Sequence, residues 1–382
     1  MTPNVKQISP SLTLRTVQTD KFKTERFSVT LQIKPHKRLT PISRFVFSIL
    51  KRGCKKYQTQ RELNIRLDEL YSATVCSAFF AGGGLHKIGF VAEMLGDEYT
   101  DGNVFEGIAD LLFNMLWEPL LDENGNFLEK YLESERENIC DYIRSVVNNP
   151  RQYAVKRFIE IMYEGDDYSI PTFGTVELVN SITSDELIKA YWDLIKNSSY
   201  EVFYVGAKSS QEVETLVRKY FDKYGYGKAA EIKSSVNFDA DTKKVKRVTE
   251  EMKLSQGKLV MGYKSGVNIT CDKDFYTMLV LNEIYGASPV SKLFMNVRER
   301  LGLCYYCSSV YNAHKGFLYV SSGIEPSELK KTENEIKKQL KNIQKGLISE
   351  SEFSSAIKSL LNLYSETIDS ASAVERFYSL RN

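Results

Sequence analysis

Residue types that do chemistry are scarce in this chain, and their spacing narrows the choice further. The 382 residues include three histidines, His36, His86 and His314, and no two are close enough in sequence to form a ligand pair. His86 and His314 each open a predicted return strand and read as surface or hairpin residues. "CYYC" has redox or zinc spacing, but strand geometry turns Cys304 and Cys307 to opposite faces, so chelation is not expected. "AGGG" (81–84) reads as a hairpin turn in preference to a flexible substrate loop. The strongest local signal is "YGASPVSKLFMNVRERLGLCYYCSS". Ser288 and Pro289 cap and open a helix, Val290, Leu293, Phe294 and Val297 form its buried stripe, and Gly302 stops it. This helix delivers Arg298 near its end. Seven residues on, Tyr305 falls on the next strand, on the face shared by Leu303, Cys307 and Ser309. Taken alone, Arg298 complements a helix C-terminus and Tyr305 is core packing.

Periodicity supplies the elements that must hold these residues. "ERFSVTLQIK" alternates Phe27, Val29, Leu31 and Ile33 as a half-buried strand. "SRFVFSILKRGC" follows as an amphipathic helix with Ile42, Phe45, Val46, Ile49 and Leu50 on one stripe. A helix through "QRELNIRLDEL" and a hairpin of "SATVCSAFF" with "LHKIGFVAEM" complete this first set. Further helices, the strand "SYEVFYVGA" and another helix lead to a polar, poorly periodic stretch placed as a linker. Beyond it the order restarts: a strand "GKLVMGYKSG", two helices, and a hairpin of "LCYYCSSVY" with "HKGFLYVSSGI". Even "AVKRF" (Ala154 to Phe158) is echoed by "AVERF" (Ala373 to Phe377).

The expected fold is therefore α+β and duplicated, with two homologous domains, each an antiparallel-rich sheet covered by helices. The first is placed at residues 1–225, the linker at 226–245 and the second at 246–382. The second copy stops within a few residues of Phe377, where the first continues through a helix, a strand and a helix, so a second domain incomplete at its C-terminus is expected. "SELKKTENEIKKQLKNIQKGL" reads as a core-facing helix with the stripe Leu329, Ile336, Leu340, Ile343 and Leu347. A net charge of +2 from 51 basic and 49 acidic side chains gives no single-sign field, so neither nucleic acid nor an anionic membrane is an expected partner. No apolar run reaches signal-peptide or bilayer length, and six scattered cysteines suit a reducing, cytoplasmic setting.

The passage around Arg298 resembles the second domain of the pitrilysin/insulinase family of zinc peptidases, which includes the mitochondrial processing peptidase. The resemblance covers nearly the whole chain. In that family the equivalent Arg and Tyr reach the zinc site of the other half-enzyme, where they hold the substrate backbone and the developing oxyanion. The resemblance carries these roles to Arg298 and Tyr305. Active members bear H-x-x-E-H on the first helix, two zinc ligands and a general base, with a further Glu ligand from a much later helix. Anchored on "RGC", the five positions fall on Arg44, Phe45, Val46, Phe47 and Ser48. The later ligand falls on Tyr142, with Asp141 adjacent. Arg44, Phe47, Ser48 and Tyr142 are thus degenerate metal and base positions, and no ligand survives. "LDELYSA" (Leu67 to Ala73) supports a closer match to a bacterial non-catalytic subunit type, itself similar to the processing-peptidase α-subunit.

The resemblance implies a non-catalytic subunit of a heterodimeric zinc peptidase, inactive on its own and without a cofactor. Zinc is expected only in a homologous partner with H-x-x-E-H, and the substrate is a peptide. The alternative from another class is a metal-free peptide-binding or scaffold protein, homodimeric, that takes up an extended peptide along a strand edge. Autonomous hydrolysis with unfamiliar ligands is disfavoured by the shortage of histidine.

Overall fold

The computed structural model describes residues 2–82, 84–229 and 245–379. Two compact units emerge, the first drawing on Met1–Arg144, Ile170–Ser235 and Thr367–Asn382, the second on Ser145–Ser169 and Val236–Glu366.

In chain order the strands of the first unit are β1 (Asn4–Ser9), β2 (Leu12–Gln18), β3 (Thr24–Ile33), β4 (Thr74–Gly82), β5 (Leu85–Leu95) and β6 (Ser199–Gly206). They form a six-stranded sheet in the order β1-β2-β6-β3-β5-β4, antiparallel except for the β2–β6 pair. The helices of the chain are α1 (Leu39–Leu50), α2 (Gln60–Glu69), α3 (Val104–Trp117), α4 (Glu129–Ser145), α5 (Pro150–Met162), α6 (Val176–Ser181), α7 (Ser184–Asn197), α8 (Ser210–Tyr224), α9 (Asp272–Asn282), α10 (Leu329–Gln344), α11 (Glu350–Glu366) and α12 (Ala371–Ser379).

The period of two in β3 divides the sheet chemically. Phe27, Val29, Leu31 and Ile33 join Phe45 and Val46 of α1 and Phe105 and Ile108 of α3 in one buried core. The alternate residues Arg26 and Ser28 face the other way, where both donate to the Glu375 carboxylate of α12. On the same face Lys87 donates to Glu201 (2.7 Å) and to the Ser379 carbonyl (2.9 Å), and Glu201 also accepts from Arg15 (3.0 Å). Beside these ion pairs Val17, Phe203 and Val205 pack against Ala371 and Val374 of α12.

The second unit has β7 (Gly257–Lys264), β8 (Cys304–Asn312) and β9 (Phe317–Ile324) in the antiparallel order β7-β9-β8. On one face Leu318, Val320 and Ile324 meet Leu293, Val297, Ile336 and Ala356 in a core. On the other, Phe317 and Tyr319 meet Phe158 of α5 at 6.2 and 5.7 Å between ring centroids. Gly262 of β7 allows this approach, because a Cβ there would collide with the Phe158 ring.

The strand order β3-β5-β4 recurs as β7-β9-β8, so the duplicated α+β fold holds. Among the described residues the second sheet has three strands, and β1, β2 and β6 have no counterpart there. The units do not follow the contiguous division 1–225 and 246–382. Helix α5, from the first copy, belongs to the second unit, and α12, from the second copy, belongs to the first. The echoed words "AVKRF" and "AVERF" lie on these two exchanged helices. Residues 230–244 of the expected linker fall outside the described residues.

Several local expectations are corrected. The β1–β2 hairpin was not foreseen because "NVKQIS" is mostly polar and exposed. Leu329 and Leu347 are 43% and 58% exposed and leave the α10 stripe, since one is the first helical residue and the other lies beyond the helix. His86 is buried within β5, edge-on to Phe79, while His314 sits in the β8–β9 hairpin turn. Among the described residues no helix is long and apolar enough to cross a membrane.

Candidate functional site

The positions equated with a metal centre lie on α1 and α4 of the first unit. Apolar residues on α1 bury Ile42, Phe45, Val46 and Ile49. Phe47, where a general base would stand, is 2% exposed and packs 5.4 Å from the Phe90 ring centroid. Ser48 turns its hydroxyl back to donate to the Arg44 carbonyl at 3.1 Å. The Arg44 guanidinium is held between two rings, 4.6 Å from the Phe79 centroid and 4.3 Å from that of Phe173. Tyr142 of α4 packs edge-on against Phe173 at 5.1 Å. Asp141, its neighbour, faces solvent and pairs with Arg144 at 3.0 Å. Tyr142 is therefore the α4 residue that meets the cluster.

Burial lowers the Arg44 pKa to about 10, an effect the nearby Tyr142 opposes. Its Nε is buried without a hydrogen-bond partner among the described residues. A guanidinium, a phenyl ring, a hydroxyl engaged with its own helix and a phenol do not fit zinc, which takes thiolate, imidazole or carboxylate. Among the described residues no group of three or more His, Cys, Asp or Glu could hold a metal ion. Phe79 and Phe173, which fill the space, were not singled out from the sequence. Each is an ordinary aromatic until the fold brings it to Arg44.

The Arg298 segment is a π-helical stretch, Leu293–Arg300, anchored by the buried Leu293 and Val297. It starts later than its sequence suggests: Val290 is 49% exposed, and the Ser291 hydroxyl accepts from the Phe294 N–H. Gly302, at φ 60°, closes it by donating to the Arg298 carbonyl at 3.0 Å. The Arg298 side chain is partly exposed, 4.7 Å from the Phe294 ring and 3.5 Å from the Glu299 carboxylate.

A β-bulge opens β8. Cys304 lies opposite Ile324 and Tyr306 opposite Gly323, so Tyr305 has no β9 residue across from it. Tyr305 is 61% exposed and donates to the Glu325 carboxylate at 2.9 Å, which holds its phenol above the ordinary pKa. It does not share the face of Cys307 and Ser309, which are both buried. The bulge also overturns the expected divergence of the cysteines. Cys304 and Cys307 face Ile324 and Ser322, two residues apart on β9 and thus on one face.

Residues 181–360 match the family model described as "Peptidase M16 inactive domain". The chain is also similar to "Probable inactive metalloprotease YmfF" of Bacillus subtilis (strain 168), 29% identical over 369 residues that cover 96% of this chain and 85% of that protein. Both likenesses point to the M16 peptidases. A crystal structure of a conserved protein from Enterococcus faecalis V583 matches this chain with a TM-score of 0.91 and 26% identity, over 99% of this chain and 88% of the other. "Uncharacterized zinc protease YmxG" of Bacillus subtilis (strain 168) is 24% identical over 246 residues, 64% of this chain and 56% of that protein. The pattern H-x-x-E-H occurs nowhere in the sequence.

Proposed function

We propose that this chain is an M16 peptidase homologue serving as the non-catalytic subunit of a heterodimeric zinc peptidase, lending Arg298 and Tyr305 to the site of a zinc-bearing partner with H-x-x-E-H. The observation that carries this reading is an asymmetry. The metal and base positions are filled by Arg44, Phe47, Ser48 and Tyr142, whereas Arg298 and Tyr305 remain exposed donors. Such donors suit a substrate backbone and an oxyanion that grows in the transition state, and the raised pKa keeps the Tyr305 phenol protonated for that task. Bacillus subtilis provides relatives of both kinds, YmfF and the zinc protease YmxG. The reading places the complex in the cytoplasm, where six free thiols fit. In a complex co-expressed with a zinc-bearing homologue, Arg298→Ala and Tyr305→Phe should each lower kcat on peptides by about 10²-fold while assembly persists. Unchanged turnover in both variants rejects the in-trans role.

A second reading, a metal-free peptide binder acting as a homodimer, is favoured by one feature. β4 is an edge strand with exposed positions and pairs only with β5 among the described strands. An extended peptide could add there by backbone hydrogen bonds. A stable homodimer in light scattering that captures peptides and ignores zinc-bearing homologues supports this reading instead.

A further inference from the structure

The β8 bulge creates a dithiol that strand periodicity would forbid. With Tyr305 looped out, Cys304 and Cys307 project from one face into the core formed by Leu293, Val297 and Val320. Both are reduced, and they are 8% and 4% exposed. Opposite Cys307 on β9 stands Ser322, whose hydroxyl donates to the Tyr306 carbonyl at 2.9 Å. Cys304 is the first residue of β8, just past the Gly302 turn, and so is the one nearer the strand's end.

We propose that Cys304 and Cys307 are a redox couple that closes to a disulfide, pinning the bulge from which Tyr305 projects. The oxidant is a small-molecule disulfide of the glutathione class. The Cys304 thiolate attacks one sulfur of that disulfide, forming a mixed disulfide and expelling one thiolate, which takes a proton from water. Cys307 loses its proton to solvent, and its thiolate attacks the Cys304 sulfur, breaking the mixed disulfide and releasing the second small thiol. Two protein thiols are oxidised by two electrons, and one small-molecule disulfide is reduced to two thiols.

Electrostatics support this order of attack. The hydrogen bond from Cys307 leads in holding the Cys304 thiol down to about 7, with Ser322 and the Arg298 charge assisting, while Cys307 is pushed up by the same bond and by burial. Cys76, the exposed cysteine of β4, is the natural control. Formation of the disulfide does not depend on the function proposed above. Only its consequence for what Tyr305 does in a partner's site rests on that reading.

The test uses the full chain alone, so its outcome is separate from that of the partner assay. The protein is equilibrated with oxidised glutathione, denatured, alkylated and mapped by mass spectrometry. The expected result is a linked Cys304–Cys307 peptide, reopened by dithiothreitol, with slowed hydrogen exchange at the Tyr305 amide. Cys307→Ser should instead trap a glutathione adduct on Cys304 and slow its alkylation at neutral pH by on the order of tenfold. Complete alkylation of both thiols after equilibration, or an adduct confined to Cys76, overturns the proposal. A disulfide that leaves Tyr305 exchange unchanged overturns the pinning of the bulge.

Discussion

The guanidinium of Arg44 stacks 4.3 Å from the ring centroid of Phe173, at the helix position where the family resemblance places a zinc ligand. A cation sandwiched this way gains about 1–2 kcal/mol from the ring quadrupoles, set against the cost of burying an Nε without a partner. The two terms nearly cancel. Arg44→Met should therefore change stability by less than about 1 kcal/mol, whereas Arg44→Glu should cost on the order of 3 kcal/mol, because the rings repel an anion. Urea titrations of both variants check the pair, and equal losses would contradict the sandwich.

Rebuilding the metal site in this chain should fail for lack of space. Phe47→Glu places a carboxylate at a position 2% exposed and packed against Phe90, at a cost of about 3–5 kcal/mol. The combination Arg44→His, Phe47→Glu, Ser48→His and Tyr142→Glu should lower Tm sharply before it captures zinc. A folded quadruple variant carrying stoichiometric metal by elemental analysis contradicts this expectation.

Arg298 and Tyr305 make contacts that stability barely needs. Both side chains are substantially exposed, and their polar partners Glu299 and Glu325 remain hydrated without them. Arg298→Ala and Tyr305→Phe should shift stability by no more than about 0.5 kcal/mol in chemical denaturation. A loss of several kcal/mol from either would assign that residue to the fold.

Alkaline pH should weaken the second unit through its tyrosines. Burial raises Tyr168 and Tyr311 to about 12, and Tyr311 donates to the Val267 carbonyl at 2.7 Å. Because the folded values lie above the unfolded value near 10, their contribution is intact below about pH 10 and is lost as pH climbs to about 12. Arg44 acts with the opposite sign: its folded value of about 10 lies below the unfolded one, so its share rises with pH over that window. Tyr311→Phe should flatten the fall in the urea midpoint between about pH 10 and 12. An unaltered slope would remove Tyr311 from the account.

The parts legible in the sequence are those that local pattern controls. Phe27, Val29, Leu31 and Ile33 show the alternation of β3, and the α1 stripe shows both a helix and the absence of ligand residues on it. The repeat of strand order follows from the same signals. What remained hidden needed distant partners. Phe79 and Phe173 are separated from Arg44 by 35 and 129 positions, and nothing in either neighbourhood marks them as covering a guanidinium. The bulge at Tyr305 is one inserted residue, and its register is set by β9 and not by "CYYC" itself. Helices α5 and α12 were visible as helices, but amphipathicity does not say which sheet a helix will cover.

The exchange of α5 and α12 leaves this duplicated chain without a seam. A fragment ending before the expected linker would keep β2 and β6 but lose α12, baring Val17, Phe203 and Val205 and stranding Arg26 without Glu375. The complementary fragment would lack α5 and bare Phe317 and Tyr319. Each piece should aggregate when expressed alone and recover when the two are made together. Two copies that each fold around a helix encoded by the other have ceased to be cassettes. They can diverge in chemistry, but they are inherited, cut and recombined only as one.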